Sequence, residues 1–154
     1  MVTSTRDRVP LNTDACINAS IRRKTENNIA YYASGGSDAI TRRLAELDQE
    51  WDIERMLETN AATATLIGMT LGITVSKKWF VLPAVIAGFL LQHAVQGWCP
   101  PLPVMRRLGF RTAAEIDYER YALKALRGDF DQVGPGKATT NGQTASRALA
   151  AARR

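Results

Sequence analysis

Few residues in this chain can do covalent or acid–base chemistry. Cys16, Cys99 and a single histidine, His93, stand among 154 residues. Cys16 and Arg22 enclose Ile17-Asn18-Ala19-Ser20-Ile21, the bare spacing of a loop in which a thiolate attacks an anion held by backbone amides. Such a loop needs glycine and a preceding strand. Here glycine is missing and the pattern is helical, so no catalysis is expected. Cys99, in Gly97-Trp98-Cys99-Pro100 and close to Arg106 and Arg107, is the candidate reactive thiol. It reads more plainly as a small packing residue. An ionisable side chain in an apolar stretch is a functional candidate by default. His93 has no carboxylate near it in sequence and is expected to be a neutral imidazole bonded to a neighbouring helix. There is no catalytic acid pair, metal-ligand cluster, phosphate-binding glycine loop or Ser-His-Asp set. The expectation is a non-enzymatic protein with no cofactor and no metal.

The charges are unevenly placed. The overall excess is +5, but from Thr59 to Met105 only Lys77 and Lys78 are charged in 47 residues, and Asp and Glu are absent. Residues 1–37 carry a net +2, residues 38–58 a net −4, residues 106–154 a net +5. A nucleic-acid role would rest on the basic tail alone (Lys137, Arg147, Arg153, Arg154), and attraction to anionic lipid explains that tail equally well. No nucleic-acid partner is expected. No apolar h-region follows Arg6 and Arg8, so no cleavable secretory signal is read.

The flanking elements read as helices. Ile17, Ile21, Ile29 and Tyr32 recur at helical spacing from about Asp14, and Ser34-Gly35-Gly36-Ser37 interrupts them. Ile40, Leu44, Leu47 and Trp51 form one helix face, with no Pro or Gly before Gly68, so this helix could run straight into the apolar zone. Pro100, Pro101 and Pro103 stop what precedes them. Thr112-Ala113-Ala114-Glu115 is a capping box opening a helix that uses Ile116, Leu123 and Leu126 and ends at Gly128. The rest lacks bulky apolar residues and reads as a flexible basic tail. The expected regions are 1–58, N-terminal helical; 59–111, hairpin and exit turn; 112–128, C-terminal helix; 129–154, tail.

The apolar window splits at Ser76-Lys77-Lys78. Trp79–Trp98 holds no charge, and 20 helical residues span roughly 30 Å, the thickness of a bilayer's hydrocarbon core. Trp79 and Trp98 mark its ends at headgroup level. Ala61–Val75 is shorter and diluted by threonines, whose hydroxyls can bond back to the preceding turn. The fold class expected is all-α: a two-span transmembrane helical hairpin with flanking cytoplasmic helices. A hairpin buried in a soluble bundle is the alternative, disfavoured because neither half has a polar face.

Small residues recur every four positions. Ala64, Gly68 and Gly72 form one stripe, and Ala84 and Gly88 continue through Gln92 and Gln96 in another. Such stripes let helix backbones approach in lipid. They could face each other or join two chains, and the spacing does not choose. Arg55 before the first span and Arg106, Arg107 and Arg111 after the second outnumber Lys77 and Lys78 in the turn. Both termini are therefore expected in the cytoplasm, with Trp79, Trp98, Arg106 and Arg107 at the membrane interfaces.

Two short spans followed by Gly97-Trp98-Cys99-Pro100 and then Arg106-Arg107-Leu108-Gly109 resemble the YgaP-like transmembrane-domain family of bacterial inner-membrane proteins. The resemblance covers about residues 52–112. It implies a helical hairpin ending in a Gly-aromatic-Cys-Pro turn, a multi-pass inner-membrane location and association as a homodimer. The best-known member joins the hairpin to a rhodanese domain. The 58 residues ahead of this hairpin are too few to hold one. The expected function is a membrane anchor or adaptor with the lipid bilayer as its partner. The alternative is an accessory to sulfur transfer, in which Cys99 receives sulfur from a separate sulfurtransferase.

Overall fold

The computed structural model describes residues 4–131 and, near the C-terminus, residues 148, 150 and 151. All regular elements among the described residues are helical. They are α1 (Arg8–Leu11), α2 (Ala15–Ser34), α3 (Gly36–Gln49), α4 (Ile53–Thr74), a 3-10 turn (Lys77–Phe80), α5 (Val81–Gln96), α6 (Leu102–Arg107) and α7 (Ala113–Arg127). The chain divides into two compact units, Met1–Arg23 with Trp51–Ile116 and Lys24–Glu50 with Asp117–Arg154. The expected flexible tail lies, beyond residue 131, outside the described residues.

The first unit is built on the α4/α5 hairpin. The helix of the acidic zone does not run into it. It stops at Gln49, and α4 starts afresh with Asp52 as N-cap, its carboxylate accepting from the Arg55 amide at 2.7 Å. The break is tied down by the Ile53 amide donating to the Arg111 carbonyl at 2.8 Å. An Asp at an N-cap satisfies a free amide and favours the helix dipole, so the start needs no proline or glycine to mark it. Along α4 the hydroxyls of Thr59, Thr63, Thr70 and Thr74 each donate to the carbonyl four residues back at 2.8 Å. This internal bonding lets threonine sit on an apolar helix.

After the turn, Lys77–Gln96 is continuously helical. It is the single stretch of 20 residues among those described that is long and apolar enough to cross a membrane, and little of it is buried. By the same measure α4 falls short of the second span expected. Its first turns carry Glu54, Arg55 and Glu58, and threonines dilute the remainder. The end of α5 also differs from expectation. Gly97, in the left-handed conformation at φ 78°, terminates it before the prolines are reached. Those prolines instead lead into α6, where Pro103 occupies the first turn and its missing amide costs nothing.

A small core closes the open end of the hairpin. Val9 of α1, Ile53 and Leu57 of α4, Cys99, and Leu102 and Met105 of α6 are buried together, with Met56 and Phe110 against them. Arg106 is 1% exposed. Its guanidinium donates to both Glu115 carboxylate oxygens at 2.7 and 2.8 Å, to Asn18 Oδ1 at 2.9 Å and to the Phe110 carbonyl at 3.0 Å. The capping box forms as expected, Thr112 Oγ1 accepting from the Glu115 amide and Glu115 Oε2 from the Thr112 amide.

The second unit joins α3 to the C-terminal parts of α2 and α7. Ile40, Leu44, Leu47 and Leu123 are buried, whereas Trp51 and Leu126, expected on the same faces, are exposed. Trp51 lies past the end of α3 and stacks beneath the Arg55 guanidinium at 4.2 Å. Glu119 is fully buried and accepts from Arg43 Nε at 2.7 Å. Arg43 also meets Glu46 at 2.9 Å and lies over the Tyr32 ring. Burial alone would lower the Arg43 guanidinium. Hydrogen bonds to Glu119 and Glu46 and the charges of Glu119 and Glu50 outweigh it and hold the group above its usual range.

Candidate functional site

The residues singled out by their chemistry fall in different places. Cys16 and Arg22 both lie on the regular helix α2, so no loop curls between them to hold an anion. Cys99 is 4% exposed, inside the core under the hairpin. Burial pushes its thiol up, and the hydrogen bond with the Leu102 backbone opposes this only in part. Arg106 is committed to Glu115 and is not beside a thiolate. The surroundings that would activate a cysteine, exposure and nearby positive charge, are not assembled here. Among the described residues no three His, Cys, Asp or Glu side chains could hold a metal ion together.

The two small-residue stripes play unlike parts. Gly68 and Gly72 are buried inside the hairpin. A Cβ at Gly68 would lie 2.7 Å from Pro83 Cδ, and one at Gly72 would lie 2.8 Å from the Phe80 ring. These two glycines therefore set how closely α4 approaches the start of α5. Ala64, on the same face, is half-buried. Ala84 and Gly88 are exposed, and a Cβ at Gly88 would meet nothing within 4 Å. Gln92 is half-buried and Gln96 exposed. The stripes do not interlock, and the α5 stripe is turned away from α4.

The expected interface residues divide likewise. Trp79 and Trp98 are exposed at the two ends of the apolar stretch, and Arg107 is exposed with a loose approach to Asp14 at 3.9 Å. Arg106, expected to face headgroups, is a correction. The proximity of Glu115, nine residues on and held by the capping box, draws it into the unit's interior.

Two participants at the base of the hairpin went unseen in the sequence. Arg8 donates from Nη1 to the Ala94 carbonyl at 3.0 Å and approaches Glu54 Oε1 at 3.5 Å. Asn12 Nδ2 donates to the Gln96 carbonyl at 2.8 Å. A clasp from α1 thus holds the first turn of α4 and the last turn of α5. Nothing local to Arg8 or Asn12 signals partners more than eighty positions away. His93 is 6% exposed, and neither ring nitrogen meets a partner among the described residues. The expected hydrogen bond to a neighbouring helix is not formed.

Between α4 and α5 lies a cavity of about 200 Å³, lined on one side by Leu57, Ala61 and Ala64 and on the other by Ile86, Phe89 and Leu90, with Cys99 also in its wall. Outside it the hairpin is strongly apolar. Leu66, Ile73, Val75, Val81, Leu91 and Val95 all present exposed side chains.

Comparison with protein-family models, curated proteins and solved structures found no match for this chain.

Proposed function

We propose that this protein is a non-enzymatic membrane anchor or adaptor, held in a bacterial inner membrane by the α4/α5 hairpin. The observation that carries the reading is the state of Lys77–Gln96, an apolar stretch of 20 residues with 6% of its span buried. A soluble helix with that composition would be expected to cover its apolar face. Exposed apolar patches beyond a few hundred Å² mark a binding or membrane surface. The companion helix supports the reading from residue 59 onward. It carries no charge up to Lys77, four of its threonines bond internally, and Leu66, Ile67 and Ile73 face outward.

The resemblance to the YgaP-like hairpins agrees with this reading and adds homodimerisation. The exposed Ala84–Gly88 stripe is compatible with a second copy. For orientation, insertion reads the unfolded chain, so all four arginines flanking the spans count against the two turn lysines, even though Arg106 and Arg111 are later buried. Both termini are assigned to the cytoplasm on that basis. The burial of Cys99 speaks against a role in sulfur transfer.

Alkaline carbonate washing of membranes from expressing cells tests the proposal. Retention of the full chain in the pellet is expected. Release into the supernatant overturns the anchor reading in favour of a soluble helical bundle. For the sulfur alternative, persulfide transfer that is lost in Cys99→Ser would revive it.

A further inference from the structure

The cavity between α4 and α5 is a groove open to the surface. Phe89 and Leu90 in its wall are 39% and 38% exposed, whereas Leu57 and Cys99, which also line it, are buried. Its volume is about 200 Å³. An apolar cavity of about 150 Å³ stays free of water and takes up benzene instead. Of the side chains that line this groove, Asn60 alone carries a carboxamide, and that group meets no partner among the described residues.

The register of the hairpin sets the direction of the groove. Gly68 lies against Pro83 and Gly72 against the Phe80 ring, so the helices run antiparallel with Ala64 near the level of Ile86 and Asn60 near that of Leu90. Leu57 to Ala64 is seven residues, about 10 Å of helix. Asn60 follows Glu58, the last charge before the uncharged stretch, by two residues. The end of the groove at Leu57 and Asn60 is therefore nearest the charged flank, and the end at Ala64 and Ile86 lies deeper in the hairpin.

We propose that this groove holds one acyl chain of a glycerophospholipid, with the chain's ester carbonyl accepting from Asn60 Nδ2. The inference rests on the anchor reading, which surrounds the hairpin with acyl chains. In hydrocarbon a carboxamide without a partner keeps its desolvation cost. The ester carbonyl sits at the top of an acyl chain, just below the head group, and Asn60 stands in the same place relative to the apolar groove. That carbonyl only accepts, and the carboxamide has two N–H groups to donate. Water does not suit apolar walls. Nor does a second copy, because the stripe of Ala84 and Gly88 that it would use is on the side of α5 turned away from α4.

The test uses the full chain in vesicles of equal parts dioleoylphosphatidylcholine and its ether-linked analogue, which has no carbonyl. Lipid that stays with the chain on mild detergent release is counted by native mass spectrometry. One lipid per chain is expected, with the ester form favoured about tenfold, the worth of one or two ordinary hydrogen bonds. In Asn60→Leu the two forms should be held equally. Ala61→Phe fills the groove from α4 and Ile86→Trp from α5, and each should lose the retained lipid; the second serves if the first does not fold. The proposal is overturned if the unaltered chain shows no ester preference, if that preference survives Asn60→Leu, or if both filled variants retain lipid unchanged. A lipid-free dimer makes a second copy the occupant and overturns it too. Carbonate washing separates the two ideas. A chain that stays in the pellet without an ester preference refutes the groove and leaves the anchor standing, whereas a chain washed out refutes the anchor and this inference with it.

Discussion

Arg106 and Glu115 form a two-pronged ion pair, Nη1 to Oε2 at 2.7 Å and Nη2 to Oε1 at 2.8 Å, with the guanidinium withdrawn from solvent. The same carboxylate closes the capping box of α7. One side chain therefore fixes a helix start and satisfies a buried cation. Removing one partner of such a pair strands the other, which costs about 3–5 kcal/mol. Glu115→Ala should lower the thermal unfolding midpoint sharply, measured by circular dichroism in a fixed membrane mimetic. Arg107→Ala, one residue along and exposed, should leave it nearly unchanged.

The same pair gives an acid-labile fold. Burial by itself would raise the Glu115 carboxyl, but the Arg106 guanidinium and the Thr112 amide and hydroxyl hold it below its ordinary value of 4.5. A carboxyl depressed on folding stabilises the fold fully above its unfolded value. That stability is lost as pH falls through the folded value. Unfolding midpoints should be flat from neutral pH to about 5 and fall once the pH drops below that ordinary value. In Glu115→Gln the fall should be shallower, and an identical acid profile in both proteins would contradict the assignment.

The glycines of the hairpin should separate cleanly. Gly72→Ala places a methyl against the Phe80 ring, where a Cβ has 2.8 Å. Overpacking of that kind costs about 1–3 kcal/mol. Gly88→Ala enters open space and gains helix propensity, so it should be neutral or slightly stabilising. If both variants unfold alike, the two stripes are not the unlike surfaces described here.

Gly97→Ala should be more damaging than its small size suggests. The position has φ 78°, and a Cβ there would collide with the Arg8 carbonyl. The left-handed backbone alone costs a side chain about 1–2 kcal/mol. Loss of the α1 clasp should follow, seen as faster backbone hydrogen exchange at Arg8–Leu11 with α4 and α5 still protected.

Much of the helical layout is legible in residue order. The Ser34–Ser37 interruption, the Thr112 capping box and the Gly128 stop are local signals, and α2, α3 and α7 lie where those signals put them. What escaped is long-range. The break between α3 and α4 rests on Asp52 as a cap and on an amide bonded to Arg111. Arg106 looked like a headgroup contact because its basic neighbours are visible in sequence, while its pairing with Glu115 depends on a turn the sequence does not display. Arg8, Glu54 and Ala94 are spread over the chain and meet only when the hairpin closes. A periodicity argument finds which face of a helix is apolar, and it does not find which distant polar group the face will meet.

The α1 clasp also bears on the order of events during synthesis. Arg8 and Asn12 leave the ribosome more than eighty residues ahead of their partners Ala94 and Gln96. Chains generally acquire structure in the order they are made, but here the α1 segment lacks these partners until the hairpin has turned back. These residues, made ahead of the hairpin, find their places only after it, and their docking would report that the hairpin is complete.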